Sequence, residues 1–376
     1  MDFSLTDEQV AIRELARQIF ADRVTHERLL ALERTGVWFD TELWSELARA
    51  DLTALAVPEA QGGGGFGIQE LCAVFEEQGR HTAPVPLFAT AVLGALPIAE
   101  FGTREQRERW LRPVAEEEAV LTAALLEYAS NEPGEPRTSA VDSGDGWRLD
   151  GEKQCVPAAH LARVILVPAR TSAGVGVFLV DPNGPGVVLE RQVATHREPQ
   201  WRLQLSGAPA VDVLGAPGGG AAIVAWIAER AALALAAIQL GVADEATRRT
   251  ARYISERKQF GRAIATFQGV ALRAADAWID VEALRGVVLQ AAWRVAAGRP
   301  ATAAIATAKW WAATAGQRVV HTAQHLHGGI GSDVEYPIHR FFLWSKQNEL
   351  LLGGAHQQLA WLGAHLVSDA HAQAEV

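Results

Sequence analysis

Glu256-Arg257-Lys258-Gln259-Phe260-Gly261-Arg262 is the stretch on which the fold reading turns. It closes an apolar, Ala-rich run that reaches back to about residue 221, and it mixes cations, an amide, one aromatic ring and a glycine in seven residues. Ala and Leu favour helix, so the run before it reads as one long helix. Further helical runs follow at about 267–297, 301–325 and 345–370. Four long helices with short links predict an antiparallel bundle.

Upstream the texture changes. Ala216-Pro217-Gly218-Gly219-Gly220 separates the bundle from a region rich in short β-type runs, such as Val164-Ile165-Leu166-Val167 and Val175 to Val180. Asn131 to Pro136 is a breaker cluster, and Asp150-Gly151 reads as a hairpin turn. Before that, residues 5 to 115 read as helices. Thr6-Asp7-Glu8 supplies cap residues, and Val10, Ile12, Leu15, Ile19 and Phe20 recur at helical spacing. Gly62 to Gly65 form an interhelix loop rather than a phosphate loop, because no strand precedes them and no Gly-Lys-Ser/Thr follows. The expected architecture is mainly α with a small β domain. It comprises an N-terminal helical domain (1–118), a middle, barrel-like β domain (119–216) and a C-terminal four-helix bundle (217–376).

Composition narrows the function classes. Half of the 376 residues are hydrophobic, 21% are charged, and the net charge is -10. An acidic chain is a poor general binder of nucleic acid, which needs Lys and Arg to neutralise phosphates. Cys72 and Cys155 have neither the number nor the spacing for a zinc site or a disulfide framework. His321 and His325 share a helical face with His327 nearby, but no further ligand follows at metal spacing. Met1-Asp2-Phe3-Ser4 lacks the basic and apolar regions of a signal peptide. Glu229, Arg230 and Gln239 interrupt the run from Ala221 to Leu240, so no membrane span is expected. A cytoplasmic protein is the resulting expectation.

The opening stretch, continued by Ile264, Phe267 and Gln268, is similar to the first C-terminal signature of acyl-CoA dehydrogenases. His325-Leu326-His327-Gly328-Gly329-Ile330-Gly331 resembles their second, and Tyr336-Pro337-Ile338-His339-Arg340 follows at the family spacing. The opening residues Phe3 to Ala16 also look like the family's first helix. The resemblance implies an FAD-dependent flavoprotein of lipid metabolism, forming homo- or hetero-tetramers with a paralogous subunit. Its substrate would be an acyl-CoA and its electron acceptor an electron-transfer flavoprotein. By the same resemblance, Arg257 would face the flavin's pyrophosphate. Gln259, Phe260, Ile264, Phe267, His325, Leu326, Gly328 and Gly329 would surround its adenosine end. Glu349, nine residues after Arg340, matches one family position for the base that removes the α-proton. Glu229, just before Arg230, matches the other, and the residues do not choose between them.

Two segments depart from the family. A stretch that faces the flavin ring, T-E-P-x-x-G-S-D in the family, is Leu126-Glu127-Tyr128-Ala129-Ser130-Asn131-Glu132-Pro133 here. Where the family stacks Trp on the ring and offers it Thr, the chain has Cys155 and Pro157. Leu350-Leu351 replaces the Gly-Thr that follows the commoner base. The resemblance therefore implies either a dehydrogenase subunit with its own base, or a complementing subunit of an α2β2 enzyme that gives adenosine and pyrophosphate contacts to its partner.

Overall fold

The computed structural model describes residues 3–37, 39–130 and 132–374, with the backbone alone for 368–374. Met1, Asp2 and Asn131, which enter the readings above, lie outside the described residues. Helices precede and follow a central set of strands. The first helices are α1 (Asp7–Arg23), α2 (His26–Thr35), α3 (Thr41–Arg49), α4 (Ile68–His81), α5 (Leu96–Phe101), α6 (Arg104–Trp110) and α7 (Arg112–Glu116). Thr6 and Gln9 exchange side-chain and backbone hydrogen bonds at the start of α1, at 3.2 and 3.1 Å, forming a capping box. Gly62 to Gly65 do form a tight loop. A Cβ on Gly63 would stand 2.3 Å from the Val57 carbonyl oxygen.

The strands are β1 (Val120–Ala123), β2 (Ser139–Asp142), β3 (Trp147–Pro157), β4 (Ala162–Thr171), β5 (Gly174–Val180), β6 (Val187–Val193) and β7 (Pro199–Leu214). They form one seven-stranded sheet. Its pairings run β4–β2–β3–β7–β5 and return to β4, so the sheet closes on itself, with β1 added to β4 and β6 to β7. Closure removes exposed edges. The enclosed core is built from Leu149, Ile165, Val167, Phe178, Val180, Leu203 and their neighbours. The hairpin turn expected at Asp150-Gly151 is not there. Both residues lie inside β3, and the chain reverses instead at 143–146, where Gly144 (φ +86°) and Gly146 (φ +136°) take the conformations the turn needs. Gly151 serves a register shift in the β3–β7 ladder, and a Cβ there would meet Thr138 at 2.7 Å.

After the strands come α8 (Gly220–Glu256), the short strands β8 (Lys258–Gln259) and β9 (Arg262–Ala263), and then α9 (Gln268–Ala296), α10 (Thr302–His327), α11 (Ile338–Leu350) and α12 (Ala355–Ala374). The run expected at 345–370 is thus two helices. They are parted at 351–354, where Leu352 (φ +57°) and Gly353 (φ +90°) leave helical geometry. α8 is long and apolar enough to cross a membrane by length and composition, and 61% of its most apolar window is buried inside the protein.

The chain divides into two compact units. One holds Met1–Arg34, Ile68–Ala83 and Ala232–Val376; the other holds Thr35–Gly67 and Pro84–Ala231. The second contains the closed sheet with α3 and α5 to α7. In the first, α10 is central, packed against α9, α11 and α12. The backbones of α4 and α8 almost touch. A Cβ on Gly241 would stand 1.8 Å from the Glu76 carbonyl oxygen, and one on Gly79 would stand 2.0 Å from that of Ile238. Beside this crossing the buried Asp244 is paired with Arg80, which also holds Glu76 and Glu77; Arg285 of α9 reaches Glu76 at 2.7 Å. Gly241→Ala is expected to cost roughly 3 kcal/mol or more, because backbone and not a flexible side chain must move. Gly286→Ala, in an exposed part of α9 with open space around it, should be neutral or stabilise by up to about 1 kcal/mol. Urea unfolding of both variants checks the contrast.

Candidate functional site

The opening sequence stretch forms a projecting hairpin. α8 ends as the Arg257 amide donates to the Tyr253 carbonyl at 2.8 Å, and the Ile264 amide closes the loop onto the Arg257 carbonyl at 2.9 Å. β8 and β9 pair Lys258 with Ala263 and Gln259 with Arg262. Phe260 (φ +52°) and Gly261 (φ +79°) make the turn between them, both with the positive φ of a hairpin of type I′. Gly261 accepts this freely, whereas Phe260 carries a strained backbone. The Phe260 ring is 92% exposed. It lies edge-on to Phe267, 6.2 Å away, and the Arg262 guanidinium covers the Phe267 ring at 4.1 Å. Arg262 had no role in the sequence reading; only its place shortly before the 264–267 turn hinted at one. Gln259 is exposed, and Ile264 is half-buried. Arg257 is exposed and makes no side-chain ion pair among the described residues.

The second motif lies next to the first. Tyr253, one helical turn before Arg257, stacks on His327 with ring centroids 4.4 Å apart, and Gly328 follows directly. Gly328 (φ +67°, ψ -147°) ends α10, its amide donating to the Gln324 and His325 carbonyls. That backbone conformation alone favours glycine. Gly329 is different: its φ is ordinary, and a Cβ would meet no atom within 4 Å. Nothing among the described residues requires glycine there. His325 is exposed beside it. Leu326, expected at the same surface, turns inward at 8% exposure and belongs to the bundle core.

The three histidines diverge. His321 sets its ring against Phe342, His325 faces outward, and His327 is buried between Tyr253 and Tyr336. His327 Nδ1 lies 2.8 Å from the Ala323 carbonyl oxygen, so Nδ1 carries the proton and Nε2 is a bare acceptor. Burial pushes the His327 pKa down. It borders a cleft of about 120 Å³ shared with Arg249, Arg252, Glu256 and Tyr336. Sequence reasoning missed this cleft, because its residues come from the ends of three helices.

The two glutamates sit in different units. Glu229 pairs with the adjacent Arg230 at 3.0 Å, and Arg230 rests on the Trp226 ring at 4.2 Å. Glu349, at the end of α11, holds Lys346 at 2.7 Å.

In the sheet domain, the two divergent segments are tied to each other. Glu127 accepts from Lys153 Nζ at 2.7 Å, from the Thr138 amide and hydroxyl at 3.0 and 2.8 Å, and from the Arg137 amide at 2.7 Å. The Gln154 amide donates to the Leu126 carbonyl, and the Cys155 amide to Gln192 Oε1, both at 2.8 Å. Thr122 donates its hydroxyl to the Pro157 carbonyl at 2.8 Å. Burial lowers the Lys153 pKa to about 8, with Glu127 opposing. Burial acts to raise the Glu127 pKa, but Lys153 and the three other donors outweigh it and hold it at about 2.

Comparison with known proteins gives a consistent result. The family model described as acyl-CoA dehydrogenase, N-terminal domain, matches residues 6–118, and that of the C-terminal domain matches 218–366. The chain is 39% identical over 374 residues to the acyl-CoA dehydrogenase FadE27 of Mycobacterium tuberculosis, covering 97% of this chain and 99% of that protein. Among solved structures, a variant of the Tcur3481-Tcur3483 steroid ACAD is 46% identical with a TM-score of 0.91, covering 97% of this chain and 99% of that one. The ChsE4-ChsE5 complex from Mycobacterium tuberculosis is 39% identical with a TM-score of 0.92, covering 98% and 99%.

Breaking the Glu127–Lys153 pair tests whether these segments are committed to structure. Glu127→Gln is expected to destabilise by about 3 kcal/mol at pH 7, since it strands a buried ammonium. The folded carboxyl titrates below its unfolded value of about 4.3. Its contribution is therefore complete above that value and disappears as pH falls toward 2, so the wild-type and variant stabilities should converge in acid. Urea midpoints measured across pH 2 to 7 read the convergence.

Proposed function

The chain belongs to the acyl-CoA dehydrogenase family, and from this we propose that it works as the complementing subunit of a hetero-oligomeric acyl-CoA dehydrogenase. In that role it gives adenosine and pyrophosphate contacts to an FAD whose ring end is held by a paralogous subunit. One contrast carries the reading. The dinucleotide motifs face outward with unused groups, while the ring-end segments commit theirs to the chain's own fold.

The dinucleotide end fits the group. Arg257 offers a planar fork of donors, suited to a pyrophosphate, without first having to break an ion pair. Phe260 offers an open ring face beside Gln259. Phe267, covered by Arg262, braces Phe260 from the side. Gly329 leaves room that the chain itself does not fill, and His325 supplies a polar group next to it. The ring end does not fit as well. Cys155 and Pro157 bring no stacking ring and no hydroxyl, and the Cys155 amide already serves Gln192.

When bound, FAD supplies the hydride acceptor for oxidation of the acyl-CoA Cα–Cβ bond. A base for the α-proton needs a carboxylate free to take it. Glu229 and Glu349 are engaged by Arg230 and Lys346, which supports a base on the partner subunit. The similarity to the ChsE4-ChsE5 complex supports assembly with a paralogue. On this reading electron-transfer flavoprotein takes the electrons onward.

Arg257→Ala is expected to weaken flavin retention by the assembled complex roughly tenfold or more, the usual worth of a charge-assisted contact of about 1.5–3 kcal/mol. Flavin absorbance after gel filtration of the variant co-expressed with its paralogue measures this. Full flavin content in the variant complex would contradict the proposed contact.

A further inference from the structure

Lys309 is a buried cation that the dehydrogenase reaction does not call for. It lies in α10, is 0% exposed, and makes no hydrogen bond to a carboxylate among the described residues. Its Nζ donates to three backbone carbonyls, those of Asn348 at 2.9 Å, Glu349 at 3.2 Å and Gly353 at 3.2 Å. An ammonium has three N–H donors, and all three are used.

The acceptors identify what the cation does. The last four carbonyls of any helix lack partners within it. At the end of α11 the Gln347 carbonyl receives the Leu351 amide at 3.0 Å, and the Leu350 carbonyl receives the Gly353 amide at 3.3 Å. Those of Asn348 and Glu349 are left, and Lys309 takes both. A positive charge at this point also faces the negative end of the α11 dipole. The third bond, to Gly353, pins the turn that separates α11 from α12. Gln358 donates to the same turn, at 2.9 Å to the Leu352 carbonyl.

A charge so deeply buried needs an opposite charge nearby. Among the described residues the charged group acting on it is Glu349, which stands on the residue whose carbonyl Lys309 already holds. We infer that Glu349 serves in this chain as the counter-charge of Lys309, and that the two close the C-terminal end of α11 and fix the 351–354 turn. This gives Glu349 work that requires neither flavin nor substrate. It also explains how Leu350-Leu351 can stand where the family resemblance calls for Gly-Thr: the turn is held from α10.

The inference has a pH signature. Burial lowers the Lys309 pKa to about 7, with Glu349 acting to raise it. Unfolded, the same group titrates near 10.4. The folded chain therefore holds this proton less readily, and the Lys309 contribution to stability improves as pH rises from about 7 toward 10. Glu349 helps only while Lys309 is charged. Its loss should matter below pH 7 and fade above it.

Thermal melts of the full chain and of Glu349→Gln at pH 6 and pH 9 test this. The expected result is a larger Tm loss at pH 6 than at pH 9. In a Lys309→Met background that pH dependence should vanish. An equal loss at both pH values, or a pH dependence that persists in the Lys309→Met background, would overturn the inference. Should Lys309→Met fail to fold, amide exchange in Glu349→Gln decides: faster exchange at Leu351 and Gly353 at pH 6 only supports it, and unchanged exchange refutes it. Because the melts need no flavin and no partner, they stand or fall separately from the complementing role.

Discussion

The crossing of α4 over α8 is the constraint on which one whole unit depends. Gly79 and Gly241 let two backbones meet at distances that no Cβ permits. This contact joins helices early in the chain to the bundle at its end. Burying the charge of Asp244 alone would be unfavourable and would raise its pKa. Arg80, Arg248 and Arg285 reverse that and keep it lowered. Such a cluster adds less to stability than its number of bonds suggests, because desolvation offsets much of the attraction. Its value lies in fixing one register of α4 on α8 and α9, since any slip strands a buried charge.

With that register set, the ends of α8 and α10 come side by side, and Tyr253 against His327 marks the junction. The hairpin and the Gly328-Gly329 turn are then presented together on one side of the unit. The closed sheet is organised differently. Its divergent segments are stitched by Glu127 and Lys153, 26 residues apart, with Cys155 and Pro157 inside the ladder. One unit offers groups outward and the other keeps them. That division matches a family in which two chains can share one flavin.

Much of this was readable from residue order. The helical periodicity before residue 115, the Thr6 cap, the β texture between 119 and 216 and the long bundle helices all come from local patterns, which local physics enforces. The hairpin stretch was readable too, because its glycine and aromatic ring have few alternative uses side by side. What failed was non-local. Asp150-Gly151 has the chemistry of a turn, but Thr138 on the neighbouring strand claims the space, so the glycine serves a close approach. The break at 351–354 has no proline, and it depends on Lys309, some forty residues earlier. The inward face of Leu326 and the partnering of Glu127 by Lys153 likewise depend on the packing of elements that sequence spacing does not reveal.

The central claim is that this chain supplies only one end of a shared flavin site. Visible flavin absorbance, scaled to protein, measures it directly on the chain purified alone and on the chain purified with its paralogous subunit. The account predicts no retained flavin in the chain alone and one flavin for each pair of unlike chains in the complex. Stoichiometric flavin in the chain alone would contradict it, and would mean that Cys155 and Pro157 line a working ring site.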